Sequence, residues 1–303
     1  MFDKIAIIGL GLIGSSIAHA ARRGKLAKEI AGFDASADVR ARAAKIGFCD
    51  TIPDGIVAAV KDAQLVILCT PVGAYNSVAQ QIAPYLGADA ILSDVGSVKG
   101  AVVRDVGPFV PKGVHFIPAH PIAGTEFSGP EAGFATLFDG RWAIITPLPD
   151  ADGAAVARLR AFWEGLGSRV DAMDPAHHDL VLAITSHLPH LIAYNIVGTA
   201  HDLEAVTEGE VIKYSASGFR DFTRIAASDP TMWRDVFLNN REAVLEVLGR
   251  FNEDLSQLQR AIREGNGELL FDTFSRTRAI RKAIIEIGQE SPAPNFGRDQ
   301  KKP

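Results

Sequence analysis

The chain is 303 residues long, 47% hydrophobic and 22% charged, with a formal net charge of −5. That length favours two domains, each long enough to bury a core, and no Lys/Arg run is long enough to follow a nucleic-acid backbone. The opening MFDKIAIIGLGLIG has neither the cationic start nor the cleavage site of a secretory signal, and its apolar run is too short to span a bilayer. Cys49 and Cys69 have no CxxC partner and no metal-ligand spacing, which suits a reducing compartment. The expectation is a cytoplasmic protein with no membrane or nucleic-acid partner and no metal.

Residues 4–8 read as the first strand and 14–23 as a helix. Residues 30–34, 65–69, 90–93, 114–118, 141–146 and 169–172 read as further strands, with helices over 37–46, 73–85 and 154–166. Strands alternating with helices imply a parallel, doubly wound α/β sheet. From about residue 174 the strand-like runs stop, and 175–201, 208–228, 231–263 and 267–287 read as helices. Leu180, Ile184, His187, Leu191 and Tyr194 recur at spacings of four and three, a stripe that asks for a partner helix. The expected division is therefore 1–172, a helical domain over 173–290, and a polar, proline-bearing tail over 291–303 that is expected to be disordered.

KIAIIGLGLIGSS sets Gly9, Gly11 and Gly14 in G-x-G-x-x-G spacing after a strand and at the opening of a helix. This is the Rossmann-type fingerprint. The glycines allow the tight turn, the approach of a pyrophosphate and close helix–strand packing, and the helix start at Leu12 and Ile13 offers free N–H groups to the phosphates. Asp34 ends the second strand, where a carboxylate can accept from both ribose hydroxyls and disfavour a 2′-phosphate. NAD is the expected cofactor, although Arg40 and Arg42 lie nearby and Asp34 could instead cap the next helix. Thr70, Pro71 and Val72 follow the third strand and should line the same groove. Ser97 and Lys99 follow the fourth, either at that rim or as turn and cap residues.

FIPAHPIAGTEFSGP places His120 between Pro118 and Pro121, with Thr125 and Glu126 just behind. Hydride loss from a carbinol carbon requires removal of the hydroxyl proton. A neutral imidazole, with an ordinary pKa of about 6.5, is a suitable base, and two prolines would stiffen its mounting. The alternative is a loop histidine that buttresses a turn. In ITSHLPHLIAYN, Ser186, His187 and His190 fall within about one helical turn, and Pro189 should kink the helix and free the Thr185 carbonyl. Interhelical hydrogen bonds or a zinc pair would also explain two histidines at that spacing, but no acidic third ligand stands at a diagnostic distance. GFRDFTRIAASDP carries Arg220 and Arg224, and a guanidinium can grip a carboxylate with two hydrogen bonds.

Taken together, the glycine loop, DVGSVKG, HFIPAHPIAGTEFSGP, SHLPH and GFRDFTRIAASDPTMWRD make the chain resemble the prephenate/arogenate dehydrogenase family over residues 4–287. The resemblance implies NAD(P)-dependent oxidative decarboxylation of a cyclohexadienyl substrate on the route to tyrosine. It implies His120 as base, with Ser97 bonded to the same substrate hydroxyl or to His120. It places Thr125 and Glu126 on the substrate side, Glu126 near the pocket mouth. Ser186, His187 and His190 would touch the substrate side chain and the nicotinamide end, and Arg224 the substrate carboxylate. Arg220 and Asp221 would stand at the entrance. Trp233 resembles an aromatic that reaches the neighbouring subunit's pocket, with simple helix packing as the alternative.

A homodimer through the helical domain is expected. Some members carry a chorismate mutase segment before the glycine loop or an ACT domain after the helices. Neither is expected here, so tyrosine feedback would act at the active site or the domain interface. Three rival readings remain: an arogenate-preferring enzyme, a β-hydroxyacid dehydrogenase, whose helical-domain lysine is not matched here, and a non-catalytic dinucleotide sensor.

Overall fold

The computed structural model describes residues 1–125, 127–203 and 216–286. Glu126, part of the helix expected over 208–228, Ile287 and the 291–303 tail lie outside the described residues.

Strands β1 (Phe2–Ile8), β2 (Ala27–Phe33), β3 (Leu65–Leu68), β4 (Ile91–Asp94) and β5 (His115–Phe116) form a parallel sheet in the order β2-β1-β3-β4-β5. All four residues of β3 are buried, as an apolar run covered on both faces must be. The two-residue period of a strand separates the faces. Ile5 and Ile7 pack with Ile17 and Ala21 of α1 (Leu12–Arg23) and with Leu159 and Trp163 of α6 (Gly153–Gly165). Ala6 and Ile8 pack into a second cluster with α3 (Ile56–Val60), α4 (Tyr75–Ile82) and α5 (Lys99–Val106). Helices thus cover both faces, and α2 (Ala37–Ile46) follows β2. The strand order reverses between β1 and β3, which opens a crevice beyond their carboxyl ends.

The later strands depart from the expected single parallel sheet. Strands β6 (Ala119–Pro121), β7 (Trp142–Ile145) and β8 (Arg169–Ala172) form a separate sheet in which β6 and β7 are antiparallel. The strand expected over 114–118 stops at Phe116 because Pro118 has no N–H for the ladder. Its carbonyl instead accepts the Thr146 N–H at 2.8 Å, and the chain enters β6 with His120 opposite Ile144. The short helices α3 and α5 were not legible in the sequence pattern. The helix expected over 73–85 is α4 flanked by two short 3-10 turns, the second containing Pro84.

Helix α7 (Pro175–Leu182) is capped by Asp174, whose Oδ1 accepts the N–H groups of Ala176 (2.8 Å) and His177 (3.2 Å). A π-helical turn, Ala183–His187, joins it to α8 (Leu188–Asp202), with the Leu188 N–H reaching back to the Ala183 carbonyl. Pro189 sits in the first turn of α8, directly after this π turn, where a missing N–H is tolerated. The inserted residue rotates the face. Leu180 and Ile184 are exposed while His187 is fully buried, so the expected stripe is not one continuous surface. By length and composition Pro175–Asp202 passes for a membrane span. Its buried His178 and Asp179 nevertheless bond to β6 and to the start of α5.

Helices Ser217–Thr223, Pro230–Asn239, Arg241–Glu264 and Gly267–Glu286 follow, with a 3-10 turn over Arg224–Ala227. The single helix expected over 231–263 is broken at Asn240. Its side-chain amide is drawn to the Asp179 carbonyl (2.8 Å) and lies 3.0 Å from His187 Nδ1.

The compact units are Met1–Leu245 and Glu246–Pro303. In the second, two helices meet at a turn where Gly265 has φ 67° and the Asn266 N–H bonds to the Ala261 carbonyl at 2.9 Å. Leu255, Ile262, Phe271 and Phe274 are exposed on it.

Candidate active site

Three strand ends, those of β1, β2 and β3, build the crevice. After β1, Gly9 has φ 103° and donates to the Phe33 carbonyl at 2.7 Å, and Gly11 is the N-cap of α1. Gly11, Leu12 and Ile13 are half-buried, while Gly14 is buried against β1. Asp34, at the end of β2, does not cap α2; Ser36 does, through its Oγ to Val39 N at 3.3 Å. The Asp34 carboxylate accepts from Leu10 N and Ser36 N, each at 2.9 Å, and so ties the glycine loop to the next strand. Each oxygen keeps further lone-pair capacity for a ligand hydroxyl. Arg40 donates to the Asp34 carbonyl at 2.8 Å and lies over the Phe33 ring, while Arg42 is held by Asp38 (2.9 Å) and Glu131 (2.7 Å).

After β3, the Thr70 hydroxyl is buried and finds no partner among the described residues. Pro71 is exposed. Val72 is buried, and its side chain packs into the sheet's own cluster rather than the groove. An unpaired buried hydroxyl at the crevice, and open space where a Gly11 Cβ would stand, both fit a dinucleotide lying across this edge.

The glycines differ in a way that can be measured. A Cβ at Gly14 would overlap the Gly9 carbonyl oxygen, whereas one at Gly11 would meet nothing within 4 Å. Gly14→Ala is expected to lose stability by at least about 1–3 kcal/mol. Gly11→Ala should keep the wild-type melting temperature and weaken NADH binding in a fluorescence titration.

The polar cluster lies where β6 meets α7 and the π turn. His120 is 9% exposed. Its Nδ1 is 2.9 Å from His178 Nε2, and His178 Nδ1 is 2.9 Å from Asp179 Oδ1. The Asp179 carboxylate also accepts Lys99 N (2.7 Å) and Gly100 N (2.8 Å), and so closes the start of α5. Burial, then the neighbouring His178, Lys99 and His187, holds His120 well below the usual imidazole range. His187 is driven down to about 4, chiefly by burial, and the Ser97 backbone lies against it. Its Nε2 is buried without a partner among the described residues.

His190 Nδ1 donates to the Ser186 carbonyl at 2.8 Å, and burial and the charge of Arg224 lower its pKa. Trp233 stacks on His190 at 3.7 Å and is 6% exposed. Within its own chain it also packs against the His187 and Phe237 rings. Ser97 and Arg224 are half-buried. Thr125, Arg220 and Asp221 are exposed, and the Thr125 hydroxyl accepts the Phe127 N–H at 3.3 Å.

Lys99 does not line the rim. It is fully buried, with Nζ 2.5 Å from both Asp94 Oδ2 and the Ala119 carbonyl, immediately before His120. Sequence reasoning missed Asp94, His178 and Asp179. Their only linear signals are the strand-end Asp of ILSDVGS and the HHD run two residues into α7.

A glycine loop at the switch point of a doubly wound sheet, followed by helices whose buried histidines pack against β6 and the Ser97 backbone beyond β4, fits a two-domain dinucleotide-binding dehydrogenase. The chain belongs to the prephenate dehydrogenase family: residues 17–172 match its nucleotide-binding domain and 174–276 its dimerization domain. It is 43% identical to a cyclohexadienyl dehydrogenase of Zymomonas mobilis over 94% of this chain and 97% of that one. The crystal structure of Aquifex aeolicus prephenate dehydrogenase, in complex with hydroxyphenyl propionate and NAD+, superposes with a TM-score of 0.86 at 35% identity, over 94% of this chain and 99% of that one. Synechocystis arogenate dehydrogenase follows with a TM-score of 0.78 at 27% identity, over 93% of this chain and 99% of that one.

Proposed function

We propose that the protein catalyses NAD-dependent oxidative decarboxylation of prephenate to 4-hydroxyphenylpyruvate, and accepts arogenate as well. The observation that carries this reading is His120, a buried imidazole kept neutral at neutral pH and fixed on β6. In the proposed reaction His120 takes the proton of the C4 hydroxyl, with Ser97 bonded to that hydroxyl or to the imidazole. NAD, when bound, accepts the hydride from C4. The C1–carboxylate bond then breaks, its electrons complete the aromatic ring, and carbon dioxide leaves. Arg224 supplies the fixed cation for a substrate carboxylate. Ser186, His187 and His190 face the substrate side chain and the nicotinamide end. Thr125, Arg220 and Asp221 stand toward the entrance, and Trp233 acts by backing His190.

On this reading Gly9, Gly11, Leu12, Ile13, Gly14, Asp34, Thr70, Pro71 and the Val72 backbone hold the dinucleotide within residues 1–172. Residues 173–290 carry the substrate and dimer contacts. The exposed apolar side chains Ile184, Ile196, Val197, Phe271 and Phe274 support a homodimer through these helices. The protein works in the cytoplasm.

The test is NADH formation by the purified protein with prephenate and, separately, arogenate, each repeated with NADP. Turnover of both with NAD, and little with NADP until Asp34 is replaced by Ser, is the expected result. Turnover of arogenate alone would move the specificity and keep the chemistry. No turnover of either would overturn the reading.

A further inference from the structure

Three buried polar groups stand in line behind the proposed base: Asp179, His178 and His120. Both oxygens of the Asp179 carboxylate already accept backbone N–H groups, so this side chain stands as an acceptor toward its neighbours. Its Oδ1 takes the Lys99 N–H and its Oδ2 the Gly100 N–H at the start of α5, at 2.7 and 2.8 Å. His178 Nδ1, 2.9 Å from Oδ1, must therefore carry the hydrogen. A neutral imidazole has one N–H, so His178 Nε2 is left as an acceptor. The group 2.9 Å from it is His120 Nδ1, which must then be the donor. By the same count His120 Nε2 carries a lone pair and no proton. The two rings meet edge to face, 5.1 Å between centroids and 63° between planes, which suits an N–H of one ring aimed at the lone pair of the other.

We propose that His178 and Asp179 are positioning residues that fix the tautomer of His120, so that Nε2 is the free base toward the substrate hydroxyl. The assignment rests on His120 as the base. When His120 Nε2 accepts the hydroxyl proton, the imidazolium already donates through Nδ1 to His178, which donates to Asp179. The positive charge is thus met by a carboxylate two hydrogen bonds away, and the proton later returns to water from Nε2. The same arrangement explains why Asp179 sits at the start of α5: the backbone N–H groups there keep it acceptor-only. Lys99 and His187 are the other charged or titratable groups acting on His120, and neither supplies this hydrogen-bond direction.

The first measurement is the tautomer itself, from the ring 15N and 13C shifts of His120 in the full-length protein near pH 7.5, assigned with His120→Asn. The Nδ1–H form is expected. In His178→Leu the His120 signals should move toward the Nε2–H form, and kcat with prephenate should fall on the order of 10²-fold while KM for prephenate and for NAD changes little. His178→Gln, whose side-chain oxygen can still accept from Nδ1–H, should recover much of the loss. A residue that only filled space would be rescued by Leu at least as well as by Gln. Finding His120 as Nε2–H in the wild type, or finding tautomer and kcat unchanged in His178→Leu, would overturn the proposal. If the wild type turns over neither prephenate nor arogenate, it is the functional reading that fails, while the ring shifts still decide the proton arrangement.

Discussion

Replacing His120 by Asn is expected to lower kcat with prephenate on the order of 10²–10⁴-fold, the usual contribution of a positioned general base. The Asn amide can still donate toward His178 from near the Nδ1 position. β6 keeps its pairing with β7, and the Asp94 and Lys99 contacts to Ala119 do not involve the ring. NADH binding, followed by fluorescence titration, should therefore stay near wild type. Turnover close to wild type would remove His120 from the base role.

The pH profile gives the same prediction a second edge. Burial first, and then His178, Lys99 and His187, pushes the His120 pKa down, so the base form persists below the ordinary value of about 6.5. The acid limb of kcat/KM is expected below that value. Stability has the same sign. His120, His178, His187 and His190 all have folded pKa values below their unfolded ones, so the unfolded chain binds more protons and stability falls as pH drops from about 6.5. For His187 that loss continues down to about 4. Circular dichroism across this range separates loss of fold from loss of the base.

Much of the fold could be read because its signals are local. The apolar runs at Lys4–Ile8 and LVIL, the glycine spacing, and the end of strand-like sequence near residue 174 each need only a short window. His120 was legible for the same reason, set between two prolines. What escaped depends on contacts between distant residues. Pro118 was read as stiffening the base, yet its larger effect is to end β5 and send the chain into a second sheet. His178 and Asp179 lie 58 and 59 positions beyond His120, and nothing in HHD shows which histidine turns inward. The π turn decides which residues of SHLPH are buried, and an extra residue in a helical turn leaves no trace in a three-and-four spacing. Asp34 was found but its local work was not. Ser36 caps the helix, and Asp34 holds the glycine loop.

Asp94→Ala is expected to destabilise the protein by about 3–5 kcal/mol, because it leaves the fully buried Lys99 ammonium without its counter-charge. Lys99→Met should do less harm. Asp94 would keep the Gly96 N–H at 2.6 Å, the Ala119 N–H at 3.1 Å and the Tyr75 hydroxyl at 3.2 Å, three donors that partly stand in for the lost cation. The two variants should also differ in pH response. Burial already lowers the Lys99 pKa even though Asp94 acts to raise it, so removing Asp94 lowers it further. With a folded pKa below the unfolded value of about 10.4, the unfolded state binds the extra proton, and Asp94→Ala should regain stability as pH rises from 7 toward 10. Lys99→Met has no such group and should show no such recovery. Both should slow turnover, because Asp94 Oδ1 accepts the Ala119 N–H and Lys99 Nζ donates to the Ala119 carbonyl, and so together they set where the next residue, His120, stands. A shift of about 1 Å there can cost on the order of 10²-fold in rate. Urea titrations at pH 7 and 9.5 decide the matter. If Asp94→Ala loses less than about 1 kcal/mol at pH 7, or shows no gain at pH 9.5, the buried pair is not what anchors the strand that carries His120.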